Sequence, residues 1–401
     1  MARVFQLVLP SEHLLGTWGG FRPRLEARGI TPRLALVTDV AGNASGGRSR
    51  GLTEPTKVEL SLILDLDTIA RVKGGTIFMS VSEHWGRSLS AAYIGNVFGT
   101  QQIFGNPTFR ASAISYKQTL FDGRIELRLG RFSATDDFLV SAYSCGFMQH
   151  AFCGNPLGIN LDTQGLTGGT WAVLGKLKPG ERSYLMAGVY NGDTAIRADK
   201  YHGTNFSLHG PLFAIGEAGY QVNGLPGDDK RLGNYKVGAW YDAARFIAFE
   251  SGARTGGAGG FYVLFDQVLT PFDTAGTNRG FGIFGSATVA PNSRVQQLPW
   301  FITAGLEMRG PLAARPRDGG GIAVASGHFS DDLQRAQREG RLVAPGGGVQ
   351  DYEAVIELTY RFDYGKSAFF VQPDLQHIHR PGATGLLKNA LVLGVQIGFN
   401  F

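Results

Sequence analysis

Lys57-Val58-Glu59-Leu60-Ser61-Leu62-Ile63-Leu64-Asp65-Leu66 carries an aliphatic residue at every even position and polar residues at most odd ones. A two-residue period sends these two sets to opposite faces of a β-strand. Residues 351–362 repeat the scheme. Tyr352, Ala354, Ile356, Leu358, Tyr360 and Phe362 stand against Asp351, Glu353, Glu357, Thr359 and Arg361. The stretch 391–401 has the opposite parity, with Leu391, Leu393, Val395, Ile397, Phe399 and Phe401 sharing one face. In a soluble sandwich the apolar face is core. In a membrane barrel it meets lipid, and the polar face lines a wet lumen. One strand does not separate the two readings; the number and spacing of strands do.

Sixteen such segments are expected, at 32–40, 57–67, 75–84, 111–120, 124–133, 170–178, 182–190, 211–222, 232–241, 259–268, 279–287, 298–308, 319–328, 351–361, 366–374 and 390–401. An even count suits a bacterial outer-membrane barrel. The connections alternate. Phe121-Asp122-Gly123, Pro179-Gly180-Glu181 and Asp363-Tyr364-Gly365 read as tight turns between longer loops, although the pattern blurs around 269–278 and 288–297. Short turns on one side and long loops on the other fit a barrel whose turns face the periplasm. Phe78, Trp85, Tyr116, Phe132, Tyr184, Tyr190, Trp240, Tyr241, Trp300 and Tyr360 lie near segment ends. That is where headgroup girdles place aromatic rings, although β-propensity alone also favours such residues. The fold class is all-β: a transmembrane antiparallel barrel of about sixteen strands (31–401), preceded by an N-terminal segment (1–30) with a short periplasmic helix.

Composition removes the alternatives. Charged residues are 18% of the 401, below the usual share of soluble domains, and hydrophobic residues at 43% argue against disorder. The 58 glycines follow no collagen period. Mean hydropathy is −0.05, and no run approaches the roughly 20 apolar residues of a spanning helix. The net charge of +5 is spread over the chain without a cluster of five Lys or Arg, so nucleic acid is not an expected partner. The start, Met1 to His13, has a short apolar stretch interrupted by Gln6 and no A-x-A site; the numbering is read as beginning near a mature end.

Residues 14–30, LLGTWGGFRPRLEARGI, resemble the N-terminal motif of the carbohydrate-selective porins of the OprB family through Leu15-Gly16, Trp18-Gly19-Gly20, Arg22, Leu25 and Gly29-Ile30. Pro23 suits a first helical turn and Gly29 a stop, which predicts a helix of one or two turns before the first strand. GRIELRLGRFSATDDF (123–138), Cys145 with AFCGNP (151–156), GVYNGD (188–193), GFGIFGSATVAP (280–291) and FVQPDLQHIHRPGA (370–383) resemble the same family in order along the chain. His377-Ile378-His379-Arg380 and the pI near 9.1 depart from its pattern. The resemblance implies passive, carbohydrate-selective diffusion across the bacterial outer membrane, of glucose-type mono- or small oligosaccharides. It implies no cofactor and no covalent step. A general or anion-preferring porin on the same scaffold is the alternative, and reversal potentials under a salt gradient separate the two.

A lumen selects by width, hydrogen-bonding groups and charge. The loop 134–169 is the expected constriction, as the third extracellular loop of porin-like barrels folds inward. Both cysteines, Cys145 and Cys153, fall in it. In an oxidising compartment they are expected to pair, with two reduced, buried thiols as the alternative. Arg128 on the polar parity of its strand is the first pore-lining candidate, with Glu126 as counter-charge and Arg131 joining if a bulge near Gly130 shifts the parity. Asp136 and Asp137 either face the pore or start a turn. Glu217, Gln372 and Asp374 are further lumen candidates, as are Lys57, Glu59 and Asp65. The eight histidines show no ligand set at metal spacing, so no metal is expected. No G-x-S-x-G elbow is present, and an enzyme is not expected. The terminal Phe401 resembles the signal read by the barrel-assembly machinery. Other expected partners are carbohydrate solutes and outer-membrane lipid, with the chain a monomer or homotrimer.

Overall fold

The computed structural model describes residues 13–105, 107–153, 156–161, 169–193, 199–223, 231–272 and 279–401; the N-terminal reading of residues 1–12 lies outside them. The sixteen expected segments all form strands, joined by one additional two-residue strand. In chain order these are β1 (Ile30–Gly47), β2 (Leu52–Thr53), β3 (Thr56–Asp65), β4 (Gly75–Trp85), β5 (Phe109–Leu120), β6 (Ile125–Phe132), β7 (Thr170–Gly180) and β8 (Ser183–Asn191). They continue as β9 (Leu212–Val222), β10 (Gly233–Ile247), β11 (Arg254–Pro271), β12 (Gly280–Val289), β13 (Trp300–Arg309), β14 (Gly319–His328), β15 (Tyr352–Tyr364), β16 (Phe369–His379) and β17 (Lys388–Asn400). Each long strand pairs antiparallel with its sequence neighbour. β1 closes the ring by pairing with β17 on one side, from Ala35↔Asn400 to Gly47↔Lys388, and with β3 on the other. Closure leaves no free sheet edge, which is what a strand wall in hydrocarbon requires.

Parity follows the sequence. Leu60 is 49% exposed on the outside and Leu393 55%, while Ile356 and Leu358 lie outward between the buried Glu353, Val355, Glu357 and Thr359. The outward aliphatics therefore pack into no dry protein interior. No described helix is long and apolar enough to cross a membrane.

Three details differ from the sequence reading. β1 and β11 run longer than expected because Gly-rich and polar residues extend their ladders past the apolar stretch, and β10 runs on through Asp242–Ile247, past a bulge opposite β11. At Gly46 the backbone is left-handed (φ +74°), and a Cβ there would lie 1.9 Å from the Asn389 carbonyl oxygen. The loop sorting blurs mid-chain because the connections after β11 (272–279) and after β12 (290–299) are of nearly equal length. Finally, the aromatic set divides. Trp85, Tyr241 and Trp300 are exposed on the outer wall, but Phe78, Phe132, Tyr184, Tyr190 and Trp240 face inward and are not girdle residues. They are joined by Phe213 and Tyr262.

The N-terminal helix forms at α1 (Phe21–Glu26), and Gly29 turns the chain at φ +78°. Arg22 is buried with its guanidinium 4.3 Å from the Trp18 ring centroid and donates to the Phe401 carbonyl. Leu14 N–H donates to the Asn400 carbonyl at 2.6 Å. The Trp18–Arg22 motif thus clasps the end of the closing strand at one rim of the barrel.

Candidate functional site

The interior is divided by two extracellular loops that fold inward. The loop 86–108, between β4 and β5, joins the expected one that follows β6. Their backbone N–H groups need acceptors inside the barrel, and carboxylates on the inward parity of β15 supply them. Glu353 accepts from Val97 N–H (3.0 and 2.9 Å), Phe98 N–H (2.8 Å) and Gly382 N–H (2.7 Å). Glu357 accepts from Met148 N–H (2.6 Å) and Gln149 N–H (2.9 Å). Gln149 Nε2 ties the two loops together by donating to the Phe98 carbonyl at 2.7 Å. Apolar contacts seal the arrangement. Phe138 and Leu139 pack with the inward Tyr190, Phe213 and Trp240, and Phe147 and Phe152 join Phe98, Phe284 and Phe301. Each buried Phe contributes on the order of 1.5–3 kcal/mol to holding its loop in place.

The described part of the third loop carries the Cys145–Cys153 disulfide. A ring of this size restricts the unfolded loop by about 2–3 kcal/mol in the chain-entropy account.

What stays open is a cavity of about 1060 Å³ between the inner faces of β3–β6 and the two loops. Its wall offers hydroxyls from Thr76, Ser80, Ser82, Ser112 and Ser115, an apolar patch from Ile63, Phe78 and Phe104, and ion pairs. Lys57 and Glu59 pair at 2.5 Å. Arg128 is held on three sides. Its guanidinium lies 4.0 Å from the Phe132 ring centroid, Nε donates to Ser115 Oγ at 3.2 Å, and Nη1 meets Asp137 at 2.9 Å. Asp136 lies 3.8 Å from Nη2. Asp136 also closes a capping box with Ser133, so it both starts the turn and borders the cavity. Burial pushes Asp136 and Asp137 above the ordinary carboxylate range, while Arg128 pulls the other way.

The remaining sequence candidates go to different places. Glu126 lines the same cavity and pairs with Lys178 at 3.0 Å. Arg131 does not reach the lumen. The β5–β6 register is continuous through Gly130, and the bulge sits instead in β5, between Ala111 and Ala113 opposite β4. Arg131 therefore keeps the outward parity, 2% exposed, with Nε donating to the Gly169 carbonyl at 2.7 Å. Asp65 caps the helix α2 (Leu66–Ala70) at the periplasmic end. Glu217 faces inward but is occupied, accepting from Tyr184 Oη (2.5 Å), Tyr262 Oη (2.8 Å) and Leu139 N–H (3.3 Å). Gln372 donates to the Gly146 carbonyl at 2.8 Å and lines a second cavity of about 390 Å³ beneath the loop. Asp374 lies beside Glu357 and accepts from Gln376 Nε2 at 2.8 Å. These three hold the loop or stand beside its anchor.

Glu353, Glu357 and Gln376 are the functional residues that the sequence reading missed. The available signal was two carboxylates, Glu353 and Glu357, on one inward parity with no cation within three positions of either. Such groups need donors from elsewhere in the chain. Among the described residues no group of three His, Cys, Asp or Glu side chains is arranged to hold a metal.

Residues 49–401 match the carbohydrate-selective porin, OprB family. Porin B of Pseudomonas aeruginosa is 26% identical, with 96% of this chain and 91% of that protein aligned. The putative porin QuiX of Acinetobacter baylyi is also 26% identical, over 97% of this chain and 93% of that protein. The high-pH structure of Pseudomonas putida OprB has a TM-score of 0.87 at 26% identity, covering 99% of this chain and 100% of that one. The outer membrane channel DcaP of Acinetobacter baumannii, 10% identical with a TM-score of 0.53 over 93% of this chain and 97% of its own, shares the fold alone. A closed barrel with an apolar outside, a hydroxyl-lined passage and a matching sequence over most of its length make this chain a member of the carbohydrate-selective porins of the OprB family, passive sugar channels of the bacterial outer membrane.

Proposed function

We propose that sugars cross this barrel along the β3–β6 wall and that Arg128, Glu126, Asp136 and Asp137 select them there. The observation that carries this reading is the immobilised guanidinium of Arg128 facing a strip of serine and threonine hydroxyls across the cavity. A sugar presents hydroxyls to such groups and C–H faces to Phe78 and Phe104. Each contact is weak, which suits a solute that must leave as readily as it enters. The cavity's size fits mono- or small oligosaccharides. Glu217 and Gln372 act at one remove, by fixing the loop, and Asp374 stands beside its anchor Glu357. We assign residues 31–401 to one barrel unit and 1–30 to its periplasmic segment. The outward aliphatic belt suits outer-membrane lipid, and Phe401 suits recognition by the barrel-assembly machinery. The outer wall accommodates a monomer or a homotrimer, which native mass spectrometry in mild detergent distinguishes.

Planar-bilayer recording tests the route. Added glucose is expected to lower the conductance of the parent channel. Arg128→Ala should leave folding intact and weaken sugar block about three- to tenfold, the scale of one ordinary net hydrogen bond. Identical conductance, ion selectivity and sugar block in parent and variant would remove Arg128 from the selecting set.

A pH dependence follows from the raised aspartates. As pH falls they take up protons before an exposed Asp does, so negative charge is lost beside Arg128. Reversal potentials in a salt gradient are expected to shift toward anions as that charge is lost. Asp136→Asn/Asp137→Asn should already be shifted at pH 7 and lose that shift. An equal shift in parent and variant assigns the titration elsewhere.

A further inference from the structure

Level with Arg128, and one inward position nearer the β5–β6 turn, the inner wall carries two lysines. Lys117 is the cross-strand partner of Arg128, and Lys176 is the partner of Glu126. Directly opposed residues share a face of the sheet, so both lysines point into the barrel with Arg128 and Glu126. Lys117 borders the large cavity, and Lys176 Nζ stands 4.4 Å from the centroid of the Tyr184 ring. The nearby carboxylates are already engaged. Glu126 pairs with Lys178 at 3.0 Å, while Asp136 and Asp137 flank Arg128. Lys57 and Glu59 pair with each other, and the two Glu217 oxygens take tyrosine hydroxyls. Neither Lys117 nor Lys176 has an ion-pair partner among the described residues. Five cations (Lys57, Lys117, Arg128, Lys176 and Lys178) thus share this region with five carboxylates, and Lys117 and Lys176 are the two that no described carboxylate pairs.

We infer that Lys117 and Lys176 form a carboxylate subsite at the periplasmic exit, so that the channel takes sugar acids, hydroxylated monocarboxylates, as well as neutral sugars. This rests on the proposed route along β3–β6. The hydroxyls of such a solute use the same Ser and Thr strip as a neutral sugar, and its carboxylate meets the two lysines as it leaves. Lysine suits this role as a compact point charge on a flexible stem that follows a moving solute instead of clamping it.

The test is the ratio of gluconate to glucose flux through the full chain in proteoliposomes. Lys117→Gln/Lys176→Gln is expected to lower the ratio about fivefold, the effect of two partly screened charges. Each single substitution should lower it about twofold, and Lys117→Arg/Lys176→Arg should preserve it. An unchanged ratio in the glutamine double variant, or an equal loss in the arginine variant, overturns the subsite while leaving the sugar route standing. A parent channel that passes neither solute removes the route itself, and the subsite with it.

Discussion

Leu393→Arg is expected to destabilise the folded barrel in lipid vesicles by about 2–4 kcal/mol, the cost of an arginine on the lipid face near the bilayer midplane. Leu393 sits in the middle of β17, outward, between Gly42 of β1 and Leu375 of β16. Its side chain is 55% exposed, so an arginine there meets hydrocarbon on one side and a strand ladder on the other. The long side chain can reach toward an interface, which keeps the cost below that of full charge burial. Leu393→Val should cost less than about 1 kcal/mol, since the site asks only for an apolar group. Urea titration of both variants in vesicles measures the difference. An arginine tolerated within about 0.5 kcal/mol, as at a water-facing site, would mean that this face does not meet lipid.

The largest functional effect is expected from Glu353→Ala/Glu357→Ala. These carboxylates take the N–H groups of Val97, Phe98, Met148, Gln149 and Gly382 inside the barrel. Removing them leaves buried donors without acceptors, at about 1–3 kcal/mol each, so the loops relax toward water. The strand ladder does not involve these side chains, and the barrel should remain closed. Single-channel conductance is expected to rise about two- to fivefold with noisier open levels, and glucose block should weaken in parallel, because a wider lumen loses its contacts with the solute. Unchanged conductance would mean that the apolar seats of Phe138, Phe147 and Phe152 hold the loops unaided.

How much of this was legible in the sequence depends on the range of the interaction. Strand positions came from a period of two residues, a local signal, and all sixteen segments are present. The extensions of β1 and β11 are Gly-rich and polar, without apolar alternation, and that of β10 follows a bulge after Asp242 that interrupts the period. The short helix at 21–26 and the Phe121–Gly123 turn were readable from Pro23, Gly29 and Gly123, where local backbone preference decides. The infolding of the loops was only half legible. Loop length marked the third one, but the Glu357–Met148 contact spans 209 residues of sequence and no local pattern announces it. Arg131 was uncertain for a related reason. A bulge shifts parity by one residue, and a glycine such as Gly130 can mark one without its being there. Tyr190 and Trp240 were assigned to girdles because ring type says nothing about which face the ring takes. The structure turns them inward to seat an apolar loop.

The most direct test of the whole account is the labelling rate of single introduced cysteines by a charged, membrane-impermeant thiol reagent in proteoliposomes, with the native disulfide left intact. Glu59→Cys probes the open passage, Gln376→Cys an inward position sealed by the loops, and Leu60→Cys the lipid face. Glu59→Cys is expected to react at least about tenfold faster than either of the others, since only there does water reach the thiolate. A Glu59→Cys rate as slow as that of Gln376→Cys, or a Leu60→Cys rate matching that of Glu59→Cys, would contradict a lipid-facing wall with a wet passage along β3–β6.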